Sequence, residues 1–237
     1  MTPQRIARLR QVLNARQPDL TVVTDFVHKQ RNIAAIVRNC DAAGIMRVHA
    51  VLGDEEYQVF RGTAMGSHHW VAVDRHATLD SALRPLRARG YQLVAAHLSD
   101  SSIDFREVDY TRPTALLLGA ERRGLSAAGE SAADICVGIP MVGMVGSLNV
   151  SVASGIILAE VYRQRQLAGL YDETRISREE YDRLFFEWGH PVVREFCRAR
   201  GLCYPALNEE GEIEAPAAWY ASVRDGTAPI LGETDSE

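Results

Sequence analysis

The chain has 237 residues, of which 46% are hydrophobic and 24% charged, with a formal net charge of −5. This describes a soluble globular protein with a real core, built as one large domain or one domain with appendages, and it argues against a uniformly basic nucleic-acid binder. No apolar run approaches a membrane span and the N-terminus lacks a secretory hydrophobic segment, so a cytoplasmic protein without membrane association is expected.

Residues 3–17 are predicted to form a helix. Pro3 suits a first-turn position, and Ile6, Leu9, Val12 and Leu13 recur at helical spacing. From Leu20 short β-branched runs alternate with helical patterns. Strands are predicted over 21–27, 48–52, 70–73, 92–97, 115–118 and 135–139, and helices over 32–43, 79–89 (with Thr78 as N-cap) and 150–165. Such alternation predicts an α/β fold, a mainly parallel sheet with helices on both faces, with ligands bound beyond the carboxyl ends of its strands. Beyond Gly169 the chain turns acidic and aromatic. Helical stretches are predicted at 177–188 and 191–200, then a turn-rich run, a short helix at 217–223 and a disordered acidic tail from about Arg224. The expected organisation is therefore a basic helical extension (1–20), a catalytic-type domain (21–166), a C-terminal helical extension (167–223) and the tail (224–237).

Charge is distributed unevenly. Residues 1–38 hold seven basic side chains against two acidic ones, +5, whereas residues 161–237 hold nine against fifteen, −6. The basic end is either a phosphate-binding surface or a solvated helix face. The four cysteines, Cys40, Cys136, Cys197 and Cys203, show no paired CxxC spacing, so reduced thiols and no metal site are expected.

Three stretches carry candidate chemistry. The uncharged run from Ile139 to Ala153 contains Pro140, Gly143, Gly146, Ser147 and Asn149 between a predicted strand and a predicted helix. It reads either as a capped turn or as a wall made largely of backbone and shaped for a small molecule. Gly119 to Gly124 has the glycine spacing of a phosphate loop, but Leu125 stands where that loop needs its lysine, so a nucleotide triphosphatase is excluded. Glu121, beside Arg122 and Arg123, either orients an arginine or a ligand, or pairs locally. Asn32 and Arg38 lie six apart on one predicted helix, where Arg38 interrupts the apolar Ile33-Ala-Ala-Ile-Val37; a buried arginine there would need an anionic partner, while a surface position would not. His68 and His69 cannot share one face of a strand, and no hydrolase triad is spaced in the chain.

Taken together, the segments Asn32–Gly44, Leu116–Leu125 and Ile139–Ala153 resemble the SPOUT superfamily of methyltransferases, in its RNA 2′-O-ribose branch. Further stretches, Arg16–Val22, His97–Asp100 with Asp104–Glu107, and Tyr204–Ile213, resemble the bacterial tRNA (guanosine-18-2′-O)-methyltransferase family. The resemblance spans about residues 3–222. It implies a deep trefoil knot in the C-terminal part of the α/β domain, S-adenosyl-L-methionine as cofactor, a homodimer, and tRNA as substrate, methylated on the ribose 2′-hydroxyl of guanosine 18 in the D-loop. It implies catalytic roles for Arg38, Asn32, Glu121, Ser147 and Asn149. The cofactor would be held by Ala96, His97, Gly119, Ile139, Met141, Gly143, Ser147 and Leu148, and the RNA by Arg5, Arg8, Arg10 and Arg38. The same chemistry at another tRNA or ribosomal RNA position, or a non-catalytic RNA-binding protein on this scaffold, are the alternatives.

Overall fold

The computed structural model describes residues 1–53, 66–99, 101–121 and 123–231. In chain order its regular elements are α1 Pro3–Asn14, β1 Leu20–Asp25, α2 Gln30–Ala42, β2 Arg47–Val51, β3 Ala72–His76, α3 Leu79–Ala88, β4 Gln92–Ala96, β5 Ile103–Asp104, β6 Thr114–Gly119, α4 Ala127–Ala132, β7 Ile135–Gly138, α5 Val150–Leu167, α6 Arg178–Gly189, α7 Pro191–Arg198 and α8 Pro216–Arg224. They fall into two compact units. One is Ala15–Arg175, and the other joins Met1–Asn14 to the chain from Ile176 onward. Among the described residues no helix is long and apolar enough to cross a membrane.

In the unit Ala15–Arg175 the seven strands form one sheet in the order β3-β2-β1-β6-β4-β7-β5, and every pairing is parallel. All six residues of β1 are buried, as are the first five of β6, the pattern of central strands covered on both faces. On one face α2 and α5 lay Ile33, Ile36, Val37, Ile157, Leu158 and Val161 over Val22, Leu116 and Leu118. On the other, Leu79, Leu83 and Leu86 of α3 cover Val23, Leu93 and Leu117. The mainly parallel α/β architecture is thus the expected one.

Several local expectations are corrected. The first helix ends at Asn14 because Gln17 turns away to bond Gly44 through its backbone N–H (2.9 Å) and Leu170 through its side chain (2.8 Å). Arg16 is not part of the basic surface. It is fully buried and donates to Asp41 (2.9 Å) and to the Ile45 carbonyl (3.2 Å). His68 and His69 sit in a 3-10 turn over Ser67–His69, which delays β3 to Ala72. The two-residue β5 and the six-residue α4 were not anticipated, since neither is long enough to show a period.

In the other unit α1 packs against α6, and buried Phe186 stacks on Tyr204, with ring centroids 4.5 Å apart. Buried Glu187 receives Arg183 and Arg198, each at 3.0 Å. The tail expected to be disordered from Arg224 instead folds back as far as Leu231: Cys203 N–H donates to Pro229 O (2.9 Å), Leu231 N–H donates to Gly201 O (2.8 Å), and Ala228 is buried. The last six positions of that expected tail lie outside the described residues.

The C-terminal end of α5 is pinned by a buried ion pair. Arg165, fully buried, donates to Asp19 Oδ1 (2.7 Å), Gln17 Oε1 (2.9 Å) and the carbonyls of Tyr110 (2.9 Å), Arg112 (3.0 Å) and Asp19 (3.4 Å). All five N–H donors of the guanidinium are thereby engaged. Arg175 adds 2.7 and 2.9 Å contacts to the same carboxylate. Burial alone would raise the Asp19 pKa, but the two arginines outweigh it and hold the carboxyl below its ordinary 3.8. A depressed pKa stabilises the fold fully above the ordinary value, and the contribution is lost as the pH falls through the folded-state value. Asp19→Asn is expected to cost about 3 kcal/mol at neutral pH, because it leaves a buried guanidinium without its anion. In urea titrations repeated from pH 7 down to pH 3, the variant should also lose less stability on acidification than the parent; equal acid slopes would remove Asp19 from the linkage.

Candidate active site

The chain leaves β1 toward β2 on one side and β6 toward β7 on the other, so the β1–β6 junction is the topological switch point of the sheet. In such sheets the crevice opens outside the carboxyl ends of these strands. Asp25 and Gly119, the last residues of β1 and β6, are register partners there. Beyond β1 the backbone turns sharply through Phe26, held at φ 52°, a conformation rare for a bulky side chain. That turn brings the start of α2 over the strand ends.

Three side chains from separate segments meet at this point. Asn32, buried in the first turn of α2, donates from Nδ2 to Glu121 Oε1 on the loop after β6. Its Oδ1 accepts from Asn149 Nδ2 at 3.3 Å. Asn149 is also the N-cap of α5, its Oδ1 accepting from Ser151 N–H (2.9 Å) and Ser151 O–H (2.6 Å). The expected cap is therefore present, and the same amide is used twice: its acceptor half caps the helix while its donor half faces Asn32.

The glycine pair at 119 and 124 serves a closed turn. Ala120 and Gly124 exchange backbone hydrogen bonds of 2.8 Å each way, and a Cβ on Gly119 would lie 2.3 Å from the Gly124 carbonyl carbon. The turn presents Glu121 toward Asn32. Two supporting residues escaped the sequence reading. Asp25, 1% exposed, accepts from Ser126 N–H at 2.7 Å and so ties the β1 and β6 loops together; an acid ending an otherwise apolar strand was its only signal. Asn39 donates to Ser151 O (2.8 Å) and Ser154 Oγ (2.9 Å), and its i+7 spacing from Asn32 on one helix face was the signal for it.

The remaining expected residues are placed as follows. Arg38 is exposed and makes no hydrogen bond or ion pair among the described residues; helical geometry turns it away from the buried stripe of Ile33, Ile36, Val37 and Cys40, so it needs no internal anion. The hydrogen-bond partners of Asn32 are Glu121 and Asn149. Ser147 is exposed and likewise outside the cluster. Ala96, Gly119 and Ile139 are half-buried at neighbouring strand ends, in the β6-β4-β7 part of the sheet. His97 lies just past β4, with Nε2 3.5 Å from Glu130. Met141 is half-buried, whereas Val142, Met144 and Val145 are 108, 103 and 66% exposed, and Gly143 and Gly146 face open space. Arg5, Arg8 and Arg10 are exposed on α1; Arg5 donates to Trp188 O (3.1 Å) and Arg10 to Glu209 O (2.6 Å), contacts that anchor the cations without neutralising them.

Comparison with known proteins matches residues 19–159 to the SpoU rRNA Methylase family and residues 163–216 to the C-terminal module described as SpoU, rRNA methylase, C-terminal. The chain belongs to the SpoU methylase family. It is 46% identical over 226 residues to the tRNA (guanosine(18)-2′-O)-methyltransferase of Escherichia coli K12, covering 94% of this chain and 99% of that protein. A solved tRNA-modifying enzyme of Aquifex aeolicus is 42% identical with a TM-score of 0.75, over 80% of this chain and 97% of that one. An AdoMet-bound rRNA methyltransferase from Sinorhizobium meliloti superposes with a TM-score of 0.57 at 32% identity, over 65% and 59% of the two chains. The SpoU match spans all three segments that contribute Asn32, Glu121 and Asn149.

The double use of Asn149 can be separated by mutation. Asn149→Asp keeps an acceptor for Ser151 but loses the donor to Asn32, so melting temperature should hold while methyl transfer falls at least tenfold. Asn149→Ala loses both, and should in addition cost about 1 kcal/mol of stability. Equal activity in the parent and Asn149→Asp would reduce the residue to a helix cap.

Proposed function

We propose that the protein transfers the methyl group of S-adenosylmethionine to the ribose 2′-hydroxyl of guanosine 18 in the tRNA D-loop, working in the cytoplasm. The observation that carries this reading is the hydrogen-bonded chain Glu121–Asn32–Asn149 at the carboxyl edge of the sheet, assembled from all three family segments. The near end-to-end match to a guanosine-18 enzyme favours that position over others.

The chemistry of the crevice suits the cofactor. Ala96, Gly119 and Ile139 offer backbone and small or apolar side chains, and the run 139–149 carries no charge. Such a wall can take an adenosine and a cationic sulfonium without an ammonium or guanidinium repelling it. Ala96, His97, Gly119, Ile139, Met141, Gly143, Ser147 and Leu148 would hold the group, which supplies a methyl activated on positive sulfur. A trefoil knot is part of the same reading. It is supported by β7 lying between β4 and β5, which both precede it in the chain, and by α5 then binding the 108–112 segment through Gln164 and Arg165.

The protein's own residues then place the nucleophile. A hydroxyl attacks well only when held in line, so positioning is the main requirement. Arg38, exposed at the surface, grips the phosphate beside the target ribose and stabilises developing negative charge on the 2′-oxygen, while phosphate or water takes the proton. Asn32 fixes Glu121 and Asn149, Glu121 positions the loop against the RNA, and Ser147 with Asn149 borders the cofactor. Arg5, Arg8 and Arg10 contribute phosphate contacts. We place a second copy of the chain on the exposed run Val142, Met144, Val145 and Leu148 and on Val152 and Ile156 of α5, since a monomer rarely leaves so much apolar surface to water. The homodimer would set one subunit's Arg38 near its partner's basic α1.

Unmodified tRNA offered with labelled S-adenosylmethionine should acquire label at guanosine 18, mapped by nuclease digestion and mass spectrometry. Label in ribosomal RNA alone would overturn the position, and no label in any RNA would overturn methyl transfer. Arg38→Lys should lower turnover on saturating tRNA by about a hundredfold, because an ammonium lacks the bidentate fork; near-parental turnover would remove the phosphate grip. Val152→Asp should convert a dimer to a monomer by sedimentation, and an unchanged mass would move the interface elsewhere.

A further inference from the structure

On the other flank of the sheet, away from Asn32, Glu121 and Asn149, three metal-ligating side chains converge. His49 of β2 and Asp74 of edge strand β3 are register partners, and His76 lies two residues further along β3, opposite Val51. With a side-chain period of two, all three project from the same face. His49 Nδ1 and His76 Nε2 are 3.0 Å apart, and an Asp74 oxygen lies 3.9 Å from His49 Nδ1. Each residue is half-buried and offers one ligand atom within 4.8 Å of the others. Among the described residues it is the one such group of three.

We propose that His49, Asp74 and His76 form a binding site for a zinc-class dication, with the fourth coordination position left to water or a small exogenous ligand. Two imidazole nitrogens bound at about 2.05 Å in tetrahedral geometry stand about 3.3 Å apart. The observed 3.0 Å is therefore already close to a chelating separation, and the Asp74 oxygen, 3.9 Å from His49 Nδ1, lies about half an ångström beyond that separation from His49. Two imidazoles with one carboxylate and an open position is a zinc-type set, nitrogen-rich and without the all-oxygen shell that calcium or magnesium requires.

The surrounding hydrogen bonds prepare the ligand atoms. Ser81 O–H donates to Thr78 O at 2.7 Å, so its oxygen is left to accept from His76 Nδ1–H, 3.5 Å away. That tautomer leaves the lone pair of His76 on Nε2, the atom facing His49. Without metal, His49 Nδ1–H donates to that lone pair; with metal, the proton moves to the opposite nitrogen of His49, and both lone pairs face the ion. Arg47 NH1 contacts both Asp74 oxygens, at 2.6 and 2.7 Å. These contacts leave further lone pairs on each oxygen. Arg47 and Arg89 are also the cations acting on His49, and they oppose a dication.

The test is equilibrium dialysis of the full chain against Zn²⁺, with bound metal measured by elemental analysis and folding checked by circular dichroism. One equivalent should bind per chain, with affinity falling by at least about tenfold in His49→Gln and in His76→Gln, and by a similar factor in Ser81→Ala through loss of the orienting contact. Arg47→Gln should tighten binding by removing a competing cation, an effect that a purely structural His–His contact would not produce. Should the histidine variants unfold, Ser81→Ala and Arg47→Gln alone decide the matter. Binding of less than one equivalent by the parent chain, or affinity unaltered across the folded variants, would overturn the site.

Discussion

The buried pairing of Arg165 with Asp19 sets the position of the longest helix, and the candidate site depends on that position. Arg165 lies near the C-terminal end of α5 and spends every donor on the start of β1 and the segment before β6. An 18-residue helix spans about 27 Å, enough to cross the sheet from its amino edge to its carboxyl edge. Anchoring one end against rotation and sliding therefore places the other end, where Asn149 must meet Asn32. A guanidinium suits this task because its rigid fork engages several acceptors at fixed angles, whereas apolar contacts along the helix permit small shifts.

At the carboxyl edge a parallel sheet brings together what the chain keeps apart. Asn32 is separated from Glu121 by 89 positions and from Asn149 by 117, yet every parallel strand ends at the same edge and delivers its following loop there. Close packing finishes the alignment. A Cβ on Gly155 would lie 3.3 Å from Asn39 Nδ2, so α2 and α5 approach as nearly as a glycine allows, and Asn39 holds the first turn of α5 while Asn32 holds its cap. The amide is well suited to this network because it donates and accepts at once. Glu121 thus stands on a fixed partner, while Arg38 is exposed and has no anionic partner among the described residues.

Much of this architecture was legible in the order of residues. Short β-branched and apolar runs such as those over 21–27 and 115–118 announced strands of a mainly parallel sheet, and the helix patterns between them announced crossovers, because such a sheet is covered on both faces. Elements too short for periodicity, β5 and α4, were not legible. Nor was the fold-back of residues 225–231, whose contacts with Gly201 and Cys203 are backbone hydrogen bonds indifferent to side-chain identity.

The site divides along the same line. Residue type and local spacing marked Asn32, Glu121 and Asn149 as polar groups at loop and helix starts, and the run 139–149 as uncharged, since these depend on neighbouring residues alone. Whether Arg38 is buried, whether Asn149 caps or links, and which partners Asn32 takes depend on segments a hundred or so positions away. The sequence left open whether Arg38 is buried against an anion or lies at the surface; the tertiary structure gives Asn32 to Glu121 and Asn149 and leaves Arg38 in solvent. The histidines of the sheet edge show the same limit, for His49 and His76 are brought within hydrogen-bonding distance only by the register of β2 on β3. Local chemistry is written along the chain, but side-chain partnership is set by strand register and helix docking, which arise from the sum of many weak contacts across the whole core.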